Sequence, residues 1–394
     1  EYTKNIDNAD AEYRKFKISQ NKEVNYLVKE FEMKKAADSY ARATTSRTGV
    51  LDTANLHTYK YNDDLFKKIT TIPDAKSHGL IFNVDWSGSM HHQVLDTIKQ
   101  TLTLVSFCRK VGIDYDVYLF TDAWEKESYS YEEDASLENK AILKNFNLIN
   151  VLTSTSNNRL HEKQALNLFR LANAYNGHYG YGNVPHKLHL GGTPLNESLI
   201  AMNDIIPEFK TRTGAQKVHV VCLTDGDGNP LRAGKKYVDR DGTESLFASH
   251  MGNGYILRDR KTGRMYKFSG DYYSGQTRQF VSYLRDRFPE CSFMNIRLLG
   301  SGEWHRFKVD CFGEQYTEEN VARANAEWKK TKSFICASSY WTVQYGLAAS
   351  ALNTDAEFEP KSDSKADIKR AFVKSLKGKK MNKKILSSFI EQIA

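Results

Sequence analysis

Five oxygen-bearing side chains, spread over three stretches of this 394-residue sequence, share one chemistry. "DWSGSM", residues 85 to 90, leaves an apolar run through Asp85, Ser87 and Ser89, with an oxygen at every second position. "GGTPL", 191 to 195, supplies Thr193, and "CLTDGDGN", 222 to 229, supplies Asp225. Oxygen-only ligation selects a hard cation such as Mg²⁺, Mn²⁺ or Ca²⁺. Two of the five donors are charged and three are neutral hydroxyls, so a bound ion stays electrophilic. Mg²⁺ also keeps water-filled positions that a carboxylate from another molecule can take. The pattern points to a recognition site rather than a closed structural cage.

Residues so distant in sequence converge only if a sheet brings them to one edge. "HGLIFNVD", 78 to 85, is a continuous apolar run ending in an acid, the signature of a strand buried on both faces. A helical pattern follows, with Val94, Leu95, Ile98, Leu102 and Val105 on one side. "DYDVYLFT" (114 to 121), "FNLINVLT" (146 to 153), "QKVHVVCLTD" (216 to 225) and "SFMNIRLLG" (292 to 300) read as further strands. Helices are expected over 162 to 175 and 193 to 206, the latter with Thr193 as cap and Pro194 in the first turn. Alternation of strand and helix predicts a doubly wound, mostly parallel, Rossmann-like α/β sheet. In such sheets ligands bind beyond the carboxyl ends of strands, where Asp85 and Asp225 fall.

Around this sheet the sequence divides into a helical N-terminal flank and connector (1–75), the sheet domain (76–345) and a charged, helical C-terminal segment (346–394). The flank reads as a helix over 8 to 43, with Val24, Leu27, Val28 and Phe31 as its apolar stripe. An insertion over about 227–270 contains a β-hairpin, "YILRD" and "RMYKF" around "RKTG". The C-terminal "MNKKILSSFIEQIA" carries a stripe of Ile385, Leu386, Phe389, Ile390 and Ile393.

Other chemistry fits these residues poorly. A hydrolase nucleophile elbow needs Gly two residues before its Ser, and Ser87 and Ser89 have Asp85 and Ser87 there. "DGDGNPLRAGKK" has Pro230 and Lys236 where a calcium loop needs Gly and Glu, and "DRDGTESLFASH" ends in His250, so Asp227 and Asp239 read as turn residues. "HEKQA" has Ala165 where a zinc protease helix places its second His after His161 and Glu162. His178, His186 and His189, in a Gly- and Tyr-rich stretch before Thr193, lack transition-metal spacing. His91 and His92 read as polar helix-start residues, and Trp124 as a packing residue.

"DWSGSM" with "GGTPL" and "LTDGDG" resembles the metal-ion-dependent adhesion site of von Willebrand factor A domains, which implies Asp85, Ser87, Ser89, Thr193 and Asp225 as its ion-binding set. The flanks "SRTGVLDTANLHTYKY" and "YLFTDAWE" are similar to segments of cobaltochelatase T-subunits. That likeness spans about 45 to 300 and implies a partner, a ring-forming AAA+ ATPase of the MoxR-like class. The resemblance leads to a metal-dependent protein-binding module, a non-catalytic adaptor or substrate-recruiting subunit of such an ATPase. An enzymatic alternative is a subunit of a chelatase that inserts cobalt or magnesium into a tetrapyrrole.

Composition adds limits. Hydrophobic residues make up 40% and charged residues 26%, as in a globular domain with a sizeable core. No apolar run reaches the roughly 20 residues of a membrane helix, and "EYTKNIDNADAEYRKFK" has no signal core, so a cytoplasmic chain is expected. Five scattered cysteines without a CxxC pair suit reduced core thiols. Net charge is +8, and residues 361 to 384 hold ten Lys or Arg against two Asp. That run suits a solvated tail, or a nucleic-acid or virion-associated interaction.

Overall fold

The computed structural model describes residues 2–42, 44–51, 60, 66–71, 77–122, 138, 140–142, 146–175, 184–185, 188–226, 228–238, 240–252, 254–268, 274–300, 302–336 and 340–348. Helix α1 (Tyr2–Arg42) leads into strands β1 (Thr44–Leu51) and β2 (Phe66–Thr71), which pair antiparallel. There follow β3 (His78–Asp85), α2 (Val94–Val111), β4 (Asp114–Thr121), β5 (Ala141–Ile142), β6 (Asn147–Thr153), α3 (Asn158–Ala174), α4 (Leu195–Thr213) and β7 (Lys217–Thr224). The later elements are β8 (Arg232–Val238), β9 (Glu244–His250), β10 (Ile256–Arg258), β11 (Met265–Lys267), α5 (Ser274–Arg287), β12 (Ser292–Leu299), α6 (Trp304–Phe312), α7 (Glu318–Thr331), β13 (Ser333–Cys336) and β14 (Val343–Ala348).

A seven-stranded sheet runs in the order β13-β14-β12-β7-β3-β4-β6. The five inner strands are parallel, and β6 and β13 close the two edges antiparallel. Successive side chains of a strand point to opposite faces, and with both faces covered the inner strands are mostly apolar and buried along most of their length. On β3, Leu80, Phe82 and Val84 enter one core with Ile98, Leu102 and Val105 of α2 and Phe169 of α3. Ile81 enters the other, with Leu199, Met202 and Ile206 of α4 and Val281 and Leu284 of α5. Helices therefore cover both faces, the mixed α/β, mostly parallel architecture the alternating pattern predicts.

Helix α1 lies on the first of these layers. Ala9, Tyr13, Val24, Leu27 and Phe31 are buried at helical spacing. Tyr13 and Phe16 pack on Phe169, Phe31 meets Phe107 of α2 edge-on, and Arg170 grips Asp10. Helices α2 and α4 both stop at a glycine in the left-handed region, Gly112 (φ 72°) and Gly214 (φ 71°), each returning its amide to the last turn.

Several elements differ from the sequence reading. Part of the expected connector pairs as β1 and β2, and β14 extends past residue 345. The 227–270 insertion holds the expected hairpin, β10 with β11, but also β8 and β9, which join β5 in a three-stranded sheet. This arm leaves and returns through one hydrogen-bonded gateway. The Met251 amide donates to the Leu231 carbonyl at 2.8 Å, the Leu231 amide donates to Gln276 Oε1 at 2.9 Å, and the Gln276 amide group donates to the Met251 carbonyl. The Lys-rich run of 361 to 384, the C-terminal stripe, Trp124, His178, His186, Asp227 and Asp239 lie outside the described residues.

All five cysteines are buried and unbridged. No helix among the described residues is long and apolar enough to cross a membrane.

Candidate metal centre

Strand β3 has parallel neighbours on both sides. The chain first adds β4 and β6 on one side, then crosses back through α4 to place β7 on the other. The carboxyl ends of β3 and β7 therefore flank the point where strand order reverses, and open α/β sheets take ligands there. Asp85 ends β3, and Asp225 follows the last residue of β7.

Asp85 is fully buried. Its Oδ2 accepts the Thr224 hydroxyl at 2.7 Å, whereas its Oδ1 is buried with no hydrogen-bond partner. Burial, and next the charge of Asp225, push the Asp85 carboxyl up to about 7, while the Thr224 hydroxyl and Ser87 pull the other way. Asp225 is raised too, chiefly by burial. The Ser89 hydroxyl opposes that shift, Glu303 adds to it, and Arg297 counters. Ser89 donates to Asp225 Oδ1 at 3.1 Å, and Ser87 Oγ lies 3.0 Å from Ser89 Oγ. Hydroxyls thus link Ser87, Ser89 and Asp225 in one chain, with Asp85 joined to the end of β7 through Thr224.

The loop carrying the serines is fixed from several sides. The Trp86 indole, fully buried, donates to the Leu188 carbonyl at 2.8 Å and meets Tyr175 edge-on. A 3-10 turn over Gly88–His92 delivers the chain into α2, with His91 Nδ1 2.9 Å from the Gly88 carbonyl. The "GGT" loop docks beside it. The Gly88 amide donates to the Gly191 carbonyl at 2.7 Å, and the Gly191 amide donates to the Trp86 carbonyl at 3.4 Å.

Thr193 comes to the cluster through this main chain, and its hydroxyl hydrogen-bonds to none of the other four residues. It is also not the helix cap the sequence predicts. Pro194 stands at the N-cap of α4, with φ −79° and ψ 52° and no side-chain cap bond. The φ of Pro194 is compatible with a helix but its ψ of 52° is not, so the first turn begins one residue later than expected.

Two residues that sequence reasoning passed over shape the site. Thr224 anchors Asp85 and accepts the Gly226 amide at 3.1 Å. Asp122, just past β4, accepts the Gly192 amide, while the adjacent Thr121 hydroxyl accepts the Gly191 amide at 3.2 Å. A signal for both was present. "LFTD" at 119 to 122 and "CLTD" at 222 to 225 end the two strands that flank β3 with the same Thr–Asp pair.

The competing candidates have other partners. His161 faces the Tyr115 hydroxyl, and burial holds its imidazole down at about 4; Glu162 pairs with Lys17 at 2.7 Å. His189 Nε2 contacts the Val184 carbonyl at 2.8 Å. Among the described residues, no group of three or more His, Cys, Asp or Glu side chains is placed to hold a metal. The donor set here is two carboxylates plus hydroxyls. Two buried acids with raised affinity for protons, one carrying an orphaned oxygen, fit a hard divalent cation, because positive charge would offset both desolvation and mutual repulsion.

No family model matches the chain, and no curated protein does. Solved structures that match include the pilus adhesin SpaC from Lactobacillus rhamnosus GG in its open conformation, at 14% identity and a TM-score of 0.32, over 57% of this chain and 24% of that one. Three N-terminal domains of the type V pili tip protein Mfa5 from Porphyromonas gingivalis match at 10% identity and a TM-score of 0.24, over 56% of this chain and 28% of that one. The chain thus spans about a quarter of these structures' length.

Proposed function

We propose that this chain is a protein-binding module of the von Willebrand factor A type, with a divalent cation, Mg²⁺ in the first instance, held by Asp85, Ser87, Ser89, Thr193 and Asp225. The observation that carries the reading is the pairing at the switch point. Two buried carboxylates stand at the ends of neighbouring parallel strands, with Asp85 Oδ1 unpartnered and a hydroxyl chain leading to Asp225. Bound there, the cation supplies an electrophilic position for an acidic side chain of a partner.

The chain's own residues do the rest. Asp85 and Asp225 provide the negative charge. Ser87, Ser89 and Thr193 provide neutral oxygens that leave the charge of the ion incompletely compensated. Thr224 orients Asp85, and the buried Trp86 fixes the loop between Asp85 and Ser87, with its indole on the Leu188 carbonyl and its own carbonyl on the Gly191 amide. The partner class proposed is a MoxR-like AAA+ ATPase, for which this chain acts as adaptor or substrate-recruiting subunit. Five unbridged buried thiols suit a reducing, cytoplasmic setting.

The test is Mn²⁺ and Mg²⁺ titration of the purified chain, read by electron paramagnetic resonance and by thermal unfolding, with Asp85→Ala beside wild type. Saturable binding at one site, lost in Asp85→Ala while that variant stays folded, supports the reading. Equal binding by both, or none by wild type, overturns it. ATPase capture with Mg²⁺ but not with EDTA then tests the partner class.

A further inference from the structure

We propose that Asp122 is a positioning residue of this centre, acting on Thr193 through Gly192; the inference rests on the ion-site reading above. Thr193 has no side-chain hydrogen bond to any other member of the set, so its place depends on its main chain. Three strand ends hold that main chain. From β3, the Ser87–Gly191 bridge docks the loop. Beyond β7, the Asn229 amide donates to the Thr193 carbonyl at 2.8 Å, and Asn196 Nδ2 fastens the Asn229 carbonyl at 2.9 Å. From β4, the Asp122 carboxylate takes the Gly192 amide.

The contact at Gly192 leaves no slack. A Cβ there would run into Asp122 Oδ2 and would lie 2.7 Å from Asn229 Nδ2, so a side chain at 192 must push back the Asp122 carboxylate, the Asn229 amide group or both. The carboxylate thus fits against a bare backbone, immediately before the residue it serves. Asp122 is itself part-buried, and burial raises its carboxyl above the ordinary range, opposed by the Gly192 amide and Arg232. Burying an acid is unfavourable unless it is hydrogen-bonded, as Asp122 is to the Gly192 amide, and outer residues that orient ligands typically change metal affinity about 10–100-fold when removed.

The test titrates Mn²⁺ into the full chain carrying Asp122→Ala, Asp122→Asn or Gly192→Ala. Amide hydrogen exchange over residues 189 to 193 is followed in the metal-free proteins. Asn keeps a carbonyl that accepts the Gly192 amide, whereas Ala keeps nothing. The expected result is about 10–100-fold weaker Mn²⁺ binding with faster exchange in Asp122→Ala, and binding within about threefold of wild type in Asp122→Asn. Gly192→Ala weakens binding as Asp122→Ala does, and the double variant is less than additive, because both break one contact.

Asp122→Ala binding as wild type does overturns the inference and leaves the ion site standing. Asn falling as far as Ala also overturns it, since that would make the charge itself a ligand. Wild type binding no Mn²⁺ fails the ion-site reading, and this inference with it.

Discussion

Thr224 donates its hydroxyl hydrogen to Asp85 Oδ2 at 2.7 Å, from the last residue of one parallel strand to the last residue of its neighbour. The bond holds half of a buried carboxylate, and the other oxygen is buried with no hydrogen-bond partner. Thr224→Val keeps the shape and removes the donor. The expected loss is about 1–3 kcal/mol of stability, the range for leaving a buried acceptor unsatisfied. Urea unfolding of metal-free protein reads it, and the same variant should bind Mg²⁺ more weakly.

Asp85→Asn takes away a charge that the metal-free fold holds against both burial and Asp225. At pH 8 without metal, the variant should melt no lower than wild type. Mg²⁺ should raise the melting temperature of wild type and leave that of the variant unchanged. Calorimetry with and without EDTA measures both. A lower metal-free melting temperature would place Asp85 among the structural acids.

His219, near the amino end of β7, predicts a pH dependence at the opposite end of the strands. Its ring sits between His78 Nδ1 at 2.9 Å and Ser292 Oγ at 2.6 Å. Burial first, then His78 and Lys217, hold it down to about 3. The folded state therefore resists a proton that the unfolded chain accepts near 6.5. Stability from this group is complete above pH 6.5 and declines as pH falls from there toward 3, by up to about 1.4 kcal/mol per pH unit. His219→Gln should flatten that slope in urea titrations between pH 4 and 7.

Gly346 of β14 faces Phe307, and a Cβ there would lie 2.6 Å from Phe307 Cζ. Gly346→Ala should cost about 1–3 kcal/mol through overpacking. Pairing it with Phe307→Leu should recover part of that loss in a double-mutant cycle.

Strands β3, β4, β7 and β12 were legible because a strand buried on both faces writes itself as a dense apolar run, here broken by single polar residues such as Asn83, Asp116, His219 and Arg297. β8 was not: in "RAGKKYV" only Ala233 and Gly234 are buried, and the remaining residues face solvent with no period to read. β13 has four residues, too few for any pattern. Asp85, Ser87, Ser89 and Asp225 were legible as a spaced set of oxygens. Asp122 was signalled only by the Thr–Asp pair it shares with the end of β7, since its contact with Gly192 depends on β4 lying beside β3 and on a loop seventy residues away in sequence reaching back to it. The placing of Thr193 failed at the level of the turn, where Pro194 took the cap position.

The gateway formed by Leu231, Met251 and Gln276 closes the chain on itself before the arm of β8 and β9 begins. The two ends of the arm are thereby fixed to each other whatever the length of the turn that joins β8 to β9, and β8 is held besides by its pairing with β5. The stretch between Val238 and Glu244 is in that sense an exchangeable cassette: a tag spliced there should leave Asp225 and the ends of the central strands where they are.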